Sequence, residues 1–101
     1  MTEVKEDYMR MLAYLDELYY KTENEAGKKK IGVYYDNLSV HLEEFTRAKF
    51  DNNNKFYKKA VNNLKKAKAA AKKHLETQTK IEVLFGYLSQ LLEQIDALLY
   101  N

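Results

Sequence analysis

No proline interrupts the chain, and glycine occurs at only three of its 101 positions, 27, 32 and 86. Sheet architectures need frequent tight turns, and tight turns draw on these two residues. A chain so poor in both defaults to helix, and its apolar spacing agrees. Val4, Tyr8, Met11, Leu15 and Leu18 alternate steps of four and three, with Leu12 and Tyr19 alongside, which is the stripe of an amphipathic helix. Thr2 is suited to cap its start, and Glu3, Glu6 and Asp7 suit the positive end of the helix dipole. The stripe stops near Asn24, with Gly27 as the expected left-handed terminator. A second stripe follows at Ile31, Tyr35, Leu38, Leu42 and Phe45. It runs out at Asp51-Asn52-Asn53-Asn54, where side chains compete for backbone hydrogen bonds and favour a turn.

Phe56, Tyr57, Ala60, Leu64, Ala67, Ala71 and Leu75 form a third stripe; Ile81, Leu84, Phe85, Leu88, Leu91, Leu92, Ile95, Leu98 and Leu99 form a fourth. Neither Pro nor Gly separates them. Their apolar centres nevertheless differ by roughly 110° around a common helix axis, so a straight helix could not press both onto one partner. Thr79-Lys80-Ile81-Glu82 also has the form of a capping box, which puts the break between Glu76 and Thr79. The expected fold is all-α: an antiparallel, up-down-up-down four-helix bundle in a single domain, with helices at about 3–24, 30–50, 54–76 and 80–100. Gly32 and Gly86 fall inside helices, where each costs about 1 kcal/mol relative to Ala. Close approach of a neighbouring helix is the expected reason for Gly86.

The apolar face of the fourth helix spans about 140°, wider than a helix–helix seam needs. A central place in the chain's own bundle accounts for that width. So does a partly exposed strip of Leu84, Leu91 and Leu98 that seals a homodimer or docks on a partner. A Leu91→Glu or Leu98→Glu change separates the two, since core leucines cannot accept a charge without unfolding.

Charge is distributed unevenly behind a net +2. Residues 1–51 hold eight basic and eleven acidic groups, residues 52–75 eight Lys and no acid, and residues 76–101 one Lys and four acids. The third helix thus carries an acid-free block: Lys55, Lys58, Lys59, Lys65, Lys66, Lys68, Lys72 and Lys73. All but Lys68, which borders the apolar stripe, lie opposite it. The block extends about 27 Å along the axis, enough to track several phosphates of a nucleic-acid backbone. An ordinary surface helix intersperses both signs and gains from i,i+4 pairs; this one forgoes that gain. Lys outnumbers Arg by 15 to 2. Lys binds as a hydrated point charge, so any contact with nucleic acid is expected to be backbone-directed and sequence-tolerant. The plain alternative is a solvated face whose lysine stems cover the alanines. In an up-down bundle the loops between helices one and two and between three and four share a pole. That pole gathers Lys28, Lys29, Lys30 and Lys80 with Tyr19, Tyr20, Tyr34 and Tyr35, the ingredients of a surface on which bases stack.

The sequence offers little for catalysis. His41 and His74 are the only imidazoles and fall over 10 Å apart in the expected bundle; neither has zinc-ligand spacing, and the chain has no Cys. No metal or other cofactor is expected. Ser39 and Ser89 are mid-helix, and there is no Gly-rich phosphate loop. The chain is therefore expected not to be an enzyme. No run of 18 apolar residues exists and MTEVKEDY has no signal-peptide core, so a soluble, cytoplasmic protein without a membrane partner is expected.

Two functions fit these features. The first is a small helical subunit or accessory of a nucleoprotein complex, with the lysine face of the third helix on a phosphate backbone. In size, helicity and basic faces the chain resembles the small helical subunits that line the nucleic-acid path of CRISPR effector complexes, a likeness of type that no residue motif carries. The second is a protein-binding inhibitor or adaptor, similar in size and architecture to small phage-encoded or bacteriocin-immunity helical proteins. In that case the lysines meet an acidic protein surface, or the fourth helix's strip meets a groove.

Overall fold

A computed structural model describes residues 2–47, 54–77 and 79–100, with side chains from Glu3 onward. They form four helices, α1 (Thr2–Lys21), α2 (Glu25–Arg47), α3 (Lys55–Glu76) and α4 (Ile81–Tyr100), in a body of 41 × 22 × 19 Å. There is no strand among the described residues. The backbone of α1 packs against α2 and α3, and that of α4 against α3 and α2. Consequently α2 and α3, although consecutive in the chain, stand across a diagonal.

Each stripe read from the sequence supplies a share of one core. Tyr8, Met11 and Leu15 of α1, Ile31, Leu38 and Phe45 of α2, and Leu84, Leu88, Leu91 and Ile95 of α4 are all buried. The contribution of α3 is mostly small: Ala60, Ala67 and Ala71 around Leu64. Fully burying one Leu or Ile stabilises by about 1.5–3 kcal/mol. Tyr8 adds a directional link, since its buried hydroxyl donates to the Leu38 carbonyl at 2.6 Å. Phe45 then joins Tyr8 and Tyr57, with ring centroids 5.9 Å from each.

This burial removes Leu84 and Leu91 from the partly exposed strip expected on the fourth helix. Leu84 and Leu91 are 1% and 0% exposed, and Leu98 is half-buried against the same core. Most of the apolar face of α4 is covered inside the chain's own bundle, because α4 packs against α3 and α2 at once.

Helix ends differ from expectation where side chains cap the backbone. α1 stops at Lys21, and the Thr22 N–H and hydroxyl both return to the Leu18 carbonyl, at 2.9 and 2.6 Å. Gly27 is not a terminator; it lies in the first turn of α2 and has no positive φ. The Asn24 side-chain oxygen accepts from the Gly27 N–H at 2.9 Å, so α2 begins at Glu25, five residues before the expected start. Asn54 caps α3 in the same way, accepting from the Phe56 and Tyr57 N–H groups at 2.9 and 3.1 Å. The Thr79 capping box does not form: α4 starts at Ile81, and the Thr79 hydroxyl meets His74 Nδ1 at 3.1 Å instead. The expected Thr2 cap and the turn over 51–53 lie outside the described residues and side chains. Close approach is a property of Gly32, where an added Cβ would come 3.2 Å from Tyr19 Cε2. It does not account for Gly86, whose Cβ would meet nothing within 4 Å.

Candidate functional site

The cationic side of α3 follows from helical geometry. Positions seven apart return to nearly the same face, about 10.5 Å further along the axis. Lys58, Lys65 and Lys72 form one such row, and Lys59, Lys66 and Lys73 a second beside it; all six are exposed, as is Lys55. The two rows have different neighbours. On the α1 flank, Lys65 Nζ stands 3.9 Å from Glu3 Oε1 in a solvent-exposed pair. Lys68 on the same flank is half-buried and bonds Asp7 Oδ1 at 2.6 Å. On the α4 flank, Lys66 Nζ lies 6.0 Å from the Tyr87 ring centroid, and Lys73 borders a cleft with Thr79, Lys80 and Val83. Among the described residues, Lys55, Lys58, Lys59, Lys66, Lys72 and Lys73 have no carboxylate within 4.0 Å. The acids missing from the Lys55–Lys73 block are thus supplied from α1 to two of its eight lysines, and six keep an uncompensated charge in water.

Thr22, Glu23 and Asn24 border one open cleft of about 770 Å³ together with Thr77, Thr79 and Lys80. Its charge is mixed: Lys21 and Lys80 line it together with Glu23, Glu76 and Glu82. Several of the other cations and rings expected at the shared pole are engaged within the chain. Lys28 Nζ stands 4.9 Å from the Tyr19 centroid and Lys30 Nζ 4.8 Å from that of Phe85, while Lys29 is exposed. The Tyr34 hydroxyl shares a 2.6 Å hydrogen bond with the Ser89 hydroxyl across α2 and α4. Tyr19, Tyr20 and Tyr35 line a different cleft, together with Asp16 and Asp36. Phosphates would meet carboxylates there, so the aromatic half of the pole does not extend the α3 lysine surface.

His41 and His74 have separate surroundings. His41 Nδ1 faces the Tyr100 hydroxyl at 3.5 Å, and His74 pairs with Thr79. Among the described residues, no group of three or more His, Asp or Glu could hold a metal ion. No protein-family model, curated protein or solved structure matches the chain. The α3 face must be judged on its own chemistry. No helix among the described residues is long and apolar enough to cross a membrane. Two features escaped the sequence reading: the α1 carboxylates that reach α3, and the assembly of three tyrosines with two aspartates. Both depend on the register between helices far apart in sequence.

Proposed function

We propose that the chain is a non-catalytic binding module that lays the lysine face of α3 along a nucleic-acid phosphate backbone, as a small subunit or accessory of a nucleoprotein complex. The observation that carries this reading is the set of six exposed lysines on one rigid helix with no carboxylate within 4.0 Å among the described residues. Like charges held this close repel one another, and a polyanion relieves the repulsion while releasing its own counterions. The lysines present point charges without a planar fork, which suits a backbone contact that does not read bases.

Fluorescence anisotropy with labelled single-stranded RNA and duplex DNA, titrated with salt, tests this. Engagement of four to six phosphates gives a log–log slope of about −3 to −5. Reversing Lys59, Lys66, Lys72 and Lys73 to Glu should abolish binding while the helical circular dichroism is kept. Absence of binding to both probes at about 50 mM salt, where the electrostatic term is strongest, would exclude a stand-alone nucleic-acid activity. An acidic protein surface would then be the partner to seek for the same lysines.

A further inference from the structure

The groove between α1 and α2 holds a second chemistry, independent of the α3 lysines. We propose that the cleft over Gly32 binds an alkylammonium group, the charged head of a methylated amine or of a lysine side chain, between tyrosine rings and two carboxylates. The cleft has a volume of about 200 Å³ and is lined by Tyr19, Tyr20, Tyr35, Gly32, Asp16 and Asp36. Space for one headgroup is what such a volume provides; sites for drug-sized ligands run to about 300–1,000 Å³.

Each part has a physical reason. Gly32 lets the Tyr19 ring lie directly against α2, since a Cβ there would stand 3.2 Å from Tyr19 Cε2, and this fixes the ring as a wall of the cleft. The Tyr19 and Tyr20 rings meet at 86° with centroids 5.4 Å apart, which makes two walls of a corner. Aromatic ring faces attract cations within about 6 Å of the centroid, and large organic cations lose less hydration than metal ions on entering such a site. Tyr19 also borders the neighbouring cleft, where the Lys28 ammonium already lies 4.9 Å from its centroid. The molecule therefore uses this same ring as a platform for an alkylammonium of its own. Asp16 comes from α1 and Asp36 from α2, and neither has a cationic partner within 4.0 Å among the described residues. They supply counter-charge for a cation and repel anions. A hard divalent ion would use the carboxylates and gain nothing from three rings.

The test is a titration of the isotopically labelled full chain with tetramethylammonium chloride, followed by amide NMR shifts at constant ionic strength set with sodium chloride. Saturating shifts at Gly32, Tyr20 and Tyr35 are expected, with none from neopentyl alcohol, a neutral, water-soluble molecule with the same branched frame and one added hydroxyl. The Asp16→Asn/Asp36→Asn pair should weaken binding about tenfold, and Tyr20→Ala about threefold to tenfold. Tyr20 is 73% exposed, so its replacement leaves the core intact; unchanged Leu88 and Ile95 shifts verify this. A second arm uses Nα-acetyl-lysine amide. Tighter binding of this probe identifies a protein side chain as the source of the cation, and tighter binding of tetramethylammonium a free methylated amine. Shifts that never saturate with either cation, that neopentyl alcohol reproduces, or that survive Asp16→Asn/Asp36→Asn overturn the proposal.

Discussion

The Lys68 ammonium lies 2.6 Å from the Asp7 carboxylate, joining α3 to α1 with side chains only 30% and 15% exposed. The pair sits at the edge of the core, where neither charge keeps its full hydration. Losing one partner leaves the other half-buried and unmatched, which costs more than a surface pair contributes. Asp7→Ala is expected to destabilise by about 1–3 kcal/mol in urea unfolding. A double-mutant cycle with Lys68→Ala should show a coupling of about 1 kcal/mol. The Glu3–Lys65 pair, 3.9 Å apart and mostly in water, should show a coupling near zero in the same experiment. Equal couplings for the two pairs would contradict this assignment.

Glycine gives a second comparison inside one molecule. Gly86 pays the conformational cost of glycine in a helix with no packing return, because its Cβ position is open. Gly86→Ala should therefore stabilise by about 0.5–1 kcal/mol and raise Tm by several degrees. Gly32→Ala removes the same entropic cost but drives a methyl against the Tyr19 ring. Its gain should fall clearly below that of Gly86→Ala. Thermal unfolding of both variants decides the order, and a larger gain at Gly32 would refute it.

The contrast between these glycines shows what was legible in the sequence. Periodicity located the core because a side chain's face depends only on its own helix: Tyr8, Met11, Leu15 and Leu18 were readable without knowing any partner. The shift in phase between the stripes around Leu75 and Leu84 likewise placed the break between α3 and α4. Gly27 misled because its terminator role competes with capping by Asn24, and only the observed bond from the Gly27 N–H shows that the cap prevails. The wide apolar face of α4 was visible, yet whether Leu84 and Leu91 would be covered depended on how many helices surround it. Nor can a single sequence show that Asp7 meets Lys68, 61 residues away, or that Asp16 and Asp36 flank the same tyrosines.

Tyr8 couples the fold to alkaline pH. Burial pushes its phenol well above the ordinary value of 10.0, so the folded state keeps it protonated after the unfolded chain begins to ionise. The unfolded state then binds fewer protons than the native state, and stability falls as pH rises. This contribution is whole below pH 10 and should be lost above it at about 1.4 kcal/mol per pH unit. Tyr8→Phe removes the titration together with the hydrogen bond to Leu38, and should cost about 1–2 kcal/mol at neutral pH. Stability curves for the two proteins should converge between pH 10 and 11.5. Parallel curves through that range would show that Tyr8 ionises normally.

The α3 lysines that face α1 carboxylates should contribute less to phosphate binding than those on the α4 flank. Lys65 and Lys68 already face Glu3 and Asp7, so a polyanion must compete with carboxylates for them. Lys59, Lys66 and Lys73 on the α4 flank have no carboxylate within 4.0 Å among the described residues. Tyr87 beside Lys66 adds a ring without adding charge. Replacing all three with Gln should flatten the log–log salt dependence of binding by about 2–3, near 0.7–0.9 per lost contact. Lys65→Gln/Lys68→Gln should change the slope by less than 1, because an ammonium neutralised by a carboxylate displaces few counterions from the nucleic acid. The Lys68 replacement will also lower stability, so the comparison is made well below its melting temperature, with helicity verified at each salt concentration. An equal loss of slope per lysine in the two variants would mean that Glu3 and Asp7 do not screen the surface, and the preferred track along the α4 flank would be wrong.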